Sequence, residues 1–355
     1  MTDIDSATDV REGEALDAAA LTAYCREHAP ELVPAAGDIE VRQFPGGASN
    51  LTYLLVVDGA EYVLRRPPFG SNVASAHDMG REYGVLSRLH AVFDPAPRPI
   101  LHCTDESVIG AEFYIMARLR GVILRRDLPA DVELSKAGAA RLCEQLLDVQ
   151  AALHTTDVDA AGMADFGRPE GYIERQIGGW NKRYRNARTD DVADCETIMD
   201  WLDARMPDVQ RRAIIHNDYK LDNVVFDADL TRIVGVLDWE MATVGDPVMD
   251  FGCSMAYWVQ ADDPQPLIDI RMGPTQLPGM LTRDEMLARY REKTGFAIDD
   301  WPFYRVFGLF RLAAILQQIY KRYVEGKTQD ERFAGFGQAV NVLAAQCERE
   351  IRAAA

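Results

Sequence analysis

Residues 214–250 read IIHNDYKLDNVVFDADLTRIVGVLDWEMATVGDPVMD. Ala213, Ile214 and Ile215 suit a short buried strand, and Val224, Val225 and Phe226 suit a second. A compact turn between them carries His216, Asp218, Lys220 and Asn223. Ile233 to Leu237 supplies a third strand-like run, with Asp227, Ala228 and Asp229 in the hairpin turn before it. That pairing returns Asp238 to the neighbourhood of Asn223, with Asp218 beside them. Two carboxylates and an amide oxygen in this order suit phosphoryl transfer from a metal nucleotide. One carboxylate faces an acceptor hydroxyl, while the other two groups hold the magnesium that neutralises the phosphates. Magnesium favours oxygen ligands and takes one or two of them from protein. Turn carboxylates that merely cap strands are the alternative reading of the same residues.

HNDYKLDN (216–223) followed by VLDWE (236–240) resembles the catalytic loop and metal segment of the aminoglycoside phosphotransferase family. The resemblance implies an α+β, two-lobed protein-kinase-like fold, with a small sheet-rich N-lobe and a larger, mainly helical C-lobe. It implies ATP and Mg2+ as cofactors, Asp218 as catalytic base, and Asn223 and Asp238 as the metal ligands. Lys220 matches a lysine that steadies the transferring phosphate, and His216 a structural histidine. Eleven residues separate Asp238 from Asp250, which leaves little room for the long activation loop of a protein kinase. GDPVMD (245–250) instead resembles the small-molecule kinases of the family, whose later aspartate braces the catalytic loop; Asp250 takes that part here. Glu240 is open to three readings: a second metal, a substrate amine, or a neighbouring arginine.

Upstream, FPGGASN (44–50) is a glycine-bearing turn that leads into the strand-like run Leu51 to Val57. Gly46 and Gly47 lack a Cβ, so backbone N–H groups there can approach phosphate oxygens, with Ser49 and Asn50 completing the turn. EYVLRR (61–66) stands where kinases carry the strand lysine that grips the nucleotide. This chain offers Arg65, which stays charged and binds phosphate bidentately but is not equivalent to lysine. Met79, Glu82, Leu86 and Leu89 recur at helical spacing on one face. A glutamate on an apolar face needs a partner, and Glu82 is expected to pair with Arg65. FYIM (113–116) resembles the strand and hinge beside the adenine, with Met116 at its end. The resulting partition is an N-terminal tail and leading helix at 1–35, a nucleotide-binding lobe at 36–118, and a lobe at 119–355 for the catalytic loop, metal and acceptor.

The 355 residues are 48% hydrophobic, enough for two packed cores, and carry a net charge of −18. That charge disfavours nucleic acid as a partner. Six dispersed cysteines form no C-x-x-C, and no signal sequence opens the chain, which suggests reduced thiols in a cytoplasm. Residues 1 to about 18 read as a frayed acidic tail. Phe303 to Ile319 is apolar but broken by Arg305, Arg311 and two glutamines, so it reads as a core helix and no membrane is expected. Leu142, Leu146, Val149 and Leu153 make one helical stripe, and Leu312, Ile315, Ile319 and Tyr323 another.

The expected partner is a small-molecule alcohol. An aminoglycoside would call for clustered carboxylates, for which Asp262, Asp263 and Asp269 are candidates. GYIERQIGGWNKRY (171–184) and LRRPP (64–68) resemble instead the branch of the family related to kinase domains fused to acyl-CoA dehydrogenases. That likeness implies a hydroxyacyl thioester as acceptor. Trp180, Lys182, Arg183 and Arg185 would then offer it an aromatic and cationic wall, or form a solvated basic face. A catalytically inactive nucleotide-binding regulatory module is the alternative function, favoured by Arg65 in place of lysine.

Overall fold

A computed structural model of the chain describes residues 7–34, 37–45, 50–69, 78–130 and 132–355. In chain order the first elements are α1 (Ala18–His28), β1 (Glu40–Gln43), β2 (Leu51–Val57), β3 (Ala60–Arg66), α2 (Met79–Leu89), β4 (Pro99–Cys103), β5 (Phe113–Ala117) and β6 (Val122–Ile123). Next come α3 (Lys136–Thr155), α4 (Tyr172–Ala187), α5 (Glu196–Ala204), β7 (Ala213–Ile215), β8 (Val224–Phe226), β9 (Ile233–Val236) and β10 (Thr243–Gly245). The chain closes with α6 (Pro247–Ala256), α7 (Gln265–Asp269), α8 (Arg283–Thr294), α9 (Trp301–Val324) and α10 (Phe336–Ala353). They fall into two compact units. The first joins Met1–Ile123, Pro129–Val132 and Asn223–Ala242; the second joins Leu124–Leu128, Glu133–Asp222 and Thr243–Ala355.

The first unit is built on an antiparallel sheet of order β1-β2-β3-β5-β4. Its alternating apolar residues pack with α1 into one core that includes Leu21, Cys25, Leu55, Leu64, Phe113 and Ile115. Strand register fixes the polar positions too, since facing residues on antiparallel strands project from the same side. Arg65 thus lies between Thr52 on β2 and Tyr114 on β5, and Met116 lies opposite Val63. Helix α2, capped by the Asp78 side chain, buries Met79, Glu82, Val85, Leu86 and Leu89. Residues 8–14 do not fray as the composition suggested. Thr8 bridges Gln43, and the Tyr53 hydroxyl donates to the Glu14 carbonyl at 2.8 Å. Strand β8 sits between β6 and β9 in a small second sheet of the same unit.

The second unit is mainly helical, with β7 paired to β10. In α3, Leu142, Leu146 and Leu153 are buried and Val149 is only partly so. The stripe read from α9 needs correction: Leu312 is buried, but Ile315, Ile319 and Tyr323 are only partly so. The helix packs against α4, α5, α6 and α10, so it is buried nearly all round from Phe303 to Ala314. A single-stripe pattern cannot describe a helix with partners on several sides. Where α6 crosses α9, a Cβ added at Gly308 would lie 2.1 Å from the Gly252 carbonyl oxygen. Only glycine lets these backbones approach so closely. That contact carries Asp250 and Arg311 toward the loop after β7. No helix among the described residues is long and apolar enough to cross a membrane.

Candidate active site

Each unit carries part of the chemistry read from the sequence. In the second, β7 ends at Ile215 and the chain turns through His216, Asn217 and Asp218. Asn217 adopts a left-handed backbone, φ +65°, a conformation that asparagine tolerates better than most residues. Asp250, at the N-terminal end of α6, holds this turn. One carboxylate oxygen accepts the Asn217 N–H at 2.7 Å, and the other accepts the His216 N–H at 3.1 Å. His154 Nε2 donates to the latter oxygen at 2.9 Å, while its Nδ1 lies 2.7 Å from the Tyr290 hydroxyl. Burial works to raise the Asp250 pKa, but the His154 bond and charge hold it below the usual carboxylate range. His216 is fully buried, its Nδ1 accepting the Asp218 N–H at 3.2 Å. The sequence-derived bracing part of Asp250 thus has a concrete form: three donors converge on one buried carboxylate.

Asp218 is partly exposed and pairs with Lys220 Nζ at 2.5 Å. Lys220 also lies 3.7 Å from Asp222 and 5.4 Å from the centre of the Tyr257 ring. Burial pulls the Lys220 pKa down, but Tyr257, Asp218 and Asp222 together lift it above its ordinary value, so the ammonium stays charged. On the other side, Arg311 donates to the Asn217 carbonyl at 2.7 Å and the Tyr172 hydroxyl to the Asn217 side chain at 3.2 Å. Sequence reading missed Arg311, Tyr172 and Tyr257. Nothing local marks a residue 94 positions away as a loop partner. A narrow cavity of about 20 Å³, room for about one water, opens beside Lys220, Asp222 and Tyr257, with Met255, Met272 and Met286 in its wall.

The first unit gathers the remaining side chains. Arg65, nearly buried, forms an ion pair through Nη1 with Glu82, and its Nη2 reaches Asp238 Oδ1 at 3.1 Å. Glu82 also accepts the Trp239 N–H at 3.1 Å. Burial works against the charge on Arg65, yet Glu82 and then Tyr114 and Asp238 hold its pKa well above the ordinary value. For Glu82 burial dominates and pushes the carboxyl up against the pull of Arg65. Asp238 has a left-handed backbone, φ +66°, an uncommon state that concentrates at functional positions. It is held from both sides. The Leu237 N–H donates to the Asn223 carbonyl at 2.8 Å, and the Trp239 indole donates to the Val236 carbonyl at 2.8 Å. Asn223 and Asp238 therefore lie together at the open end of the β8–β9 hairpin, opposite its turn. Their amide and carboxylate oxygens are the hard donors that magnesium takes, and one or two protein ligands are its usual share.

Glu240 accepts a hydrogen bond from the Asn50 side chain at 2.9 Å, and its charge is one of those that raise the Arg65 pKa, in line with the neighbouring-arginine reading. Asn50 itself is 2% exposed. Gly46, Gly47 and Ser49 lie outside the described residues. Met116 is a buried residue of β5. Of the three candidate acceptor carboxylates, Asp263 is taken up by Arg283, with contacts of 2.6 and 2.8 Å. Trp180 is close to both Arg183 and Arg311, whose guanidinium centres are 4.7 and 5.2 Å from its rings, while Arg185 pairs with Glu196. All six cysteines are buried and free.

The sequence profile of the phosphotransferase enzyme family (APH) matches residues 40–291. The mouse acyl-CoA dehydrogenase family member 10 is 33% identical over 310 residues, 87% of this chain and 29% of that protein. The chain spans less than half the length of each of the curated relatives described, all of them acyl-CoA dehydrogenases or members of that family by name. A solved structure from Ralstonia eutropha JMP134, provisionally named an aminoglycoside phosphotransferase, is 34% identical with a TM-score of 0.81, covering 95% of this chain and 99% of that one. A choline kinase from Cryptosporidium parvum, 12% identical with a TM-score of 0.62, shares the fold over 94% of this chain and 96% of its own. With its α+β, protein-kinase-like architecture, the chain belongs to the phosphotransferase enzyme family.

Proposed function

We propose that this chain is an ATP- and Mg2+-dependent phosphotransferase that moves the γ-phosphate to a hydroxyl of a small molecule. The observation that carries the reading is Arg65, whose guanidinium joins Glu82 to Asp238. A cation for phosphate, the carboxylate that anchors it, and a carboxylate suited to magnesium converge on one group. Bound magnesium supplies charge neutralisation at the phosphates. Asn223 and Asp238 would hold it, and Arg65 with residues 46–50 would hold the phosphate oxygens. Asp218 orients the acceptor hydroxyl and accepts its proton as the new P–O bond forms. Lys220, kept charged beside Asp218, steadies the phosphoryl group in flight. Most of the acceleration comes from positioning and from charge stabilisation in a desolvated site. Residues 36–118 serve nucleotide binding and 119–355 the chemistry and acceptor, and Met116 borders the adenine.

For the acceptor, two classes stand: an aminoglycoside-like polyol and a hydroxyacyl thioester. The names of the curated relatives favour the thioester, and the pairing of Asp263 with Arg283 weakens the case for an amine-binding carboxylate cluster. The test is magnesium-dependent ADP release across aminoglycosides, amino alcohols and hydroxyacyl-CoA thioesters. Asp218→Asn should leave ATP binding intact and lower turnover by about two to four orders of magnitude. Near-normal turnover in that variant removes Asp218 as base. ATP binding with no acceptor-stimulated release across the panel favours the regulatory-module alternative.

A further inference from the structure

Among the described residues, Arg65 Nε, Glu82 Oε2 and the Tyr114 hydroxyl are buried without a well-formed hydrogen bond, although the phenol lies close enough to Glu82 and Arg65 to interact with both. Buried polar groups are almost always satisfied, so a donor and an acceptor orphaned side by side call for an explanation. Tyr114 faces Arg65 across the β3–β5 ladder, so both side chains leave the same side of the sheet. It is fully buried, and burial together with the Glu82 charge pushes its phenol pKa well above the ordinary value. The phenol therefore stays protonated, a donor next to an unused carboxylate oxygen. Glu82 Oε1 already serves both Arg65 Nη1 and the Trp239 N–H. Arg65 Nη2 rests on Asp238 Oδ1, a carboxylate that would hold the metal. When that contact is given up, Glu82 is the carboxylate left to aim the guanidinium, and its free oxygen becomes the point at which its own orientation is set.

We infer that Tyr114 is a positioning residue of the nucleotide site: its hydroxyl donates to Glu82 Oε2 when Arg65 turns from Asp238 to the phosphates, and so keeps Arg65 aimed. The inference rests on the phosphotransferase reading above. It does not follow from the shape of the core, because phenylalanine fills the same space. Tyr114→Phe removes an orphan from the nucleotide-free protein, so its unfolding midpoint should stay level or rise. The same change should weaken MgADP binding about five- to tenfold, the scale of one buried hydrogen bond to a charged group. Adenosine, which lacks phosphate, should bind both proteins equally.

Isothermal titration with MgADP and with adenosine, alongside thermal unfolding with and without MgADP, reads all three quantities. A MgADP-induced rise in midpoint that shrinks in Tyr114→Phe, with adenosine affinity unchanged, supports the role. Equal MgADP affinity in the two proteins overturns it while leaving the kinase reading in place. So does a parallel loss of adenosine binding or a lowered nucleotide-free midpoint, either of which marks a structural tyrosine. Wild-type protein that binds neither ligand overturns the kinase reading itself, and this inference with it.

Discussion

Asp250→Asn tests whether the catalytic loop depends on one buried carboxylate. The wild-type side chain receives three hydrogen bonds, at 2.7 Å from the Asn217 N–H, 3.1 Å from the His216 N–H and 2.9 Å from His154 Nε2. Asparagine keeps the shape but has a single acceptor oxygen. If its oxygen stays on the Asn217 N–H, its NH2 confronts the His216 N–H and the His154 donor. If it turns over, the Asn217 N–H is orphaned instead. His154 can relieve one clash by exchanging tautomers with the help of the Tyr290 hydroxyl, but no backbone N–H can. One buried donor is left facing another, and an unsatisfied buried group costs about 1–3 kcal/mol. Loss of the charge-assisted component brings the expected destabilisation to about 2–4 kcal/mol.

The assay is urea unfolding of both proteins across pH. In the folded protein the Asp250 pKa is depressed below its unfolded value, near 4. Its contribution is therefore fully present above about pH 4, and is lost as pH falls through the depressed folded value. The two proteins should differ most near neutrality and converge in acid. Turnover should fall about tenfold to a hundredfold, because Asp218 sits on the turn whose backbone is released. A stability gap below about 0.5 kcal/mol at pH 7, or one that does not narrow in acid, refutes the argument, since such changes are typical of indifferent surface sites.

Asp238→Ala should abolish magnesium-dependent nucleotide binding measured by titration calorimetry, and unchanged binding would remove Asp238 from the metal site. Arg65→Lys should separate two duties of the arginine. A point-like ammonium cannot grip Glu82 and Asp238 together as the planar fork does, so Asp238 is released. Mn2+ titrated by electron paramagnetic resonance should then bind the nucleotide-free variant about tenfold more tightly than wild type, the effect of roughly 1.4 kcal/mol of lost competition; equal affinities would show that the resting contact does not compete with metal.

How much of this was legible without coordinates depended on whether the cause was local. The HNDYKLDN turn lies between two strands close in sequence, and the β8–β9 hairpin is closed by Asp227 accepting the Thr231 and Arg232 N–H groups at 2.7 and 3.1 Å. Local pattern therefore sufficed to bring Asn223 and Asp238 together. The same holds for α2, whose apolar spacing put Glu82 on the buried side, and for β3, whose alternation separated Arg65 from Arg66. Arg66 indeed turns away from the Glu82 cluster, donating to the Ile109 carbonyl at 2.8 Å. What escaped was decided by crossings between distant elements. Arg311 reaches Asn217 because Gly252 and Gly308 let α6 and α9 touch. Trp239, inside a motif that was recognised, gave no sign that its N–H ties the metal segment to Glu82 at 3.1 Å. Asn50 finds Glu240 across 190 residues. These contacts share a purpose in the proposed mechanism. Motif residues are chosen by the reaction and can be read from their types, whereas the groups that hold them still are chosen by the packing around each site. A tyrosine, a tryptophan or an arginine that supports a motif looks, in sequence, like any other core residue.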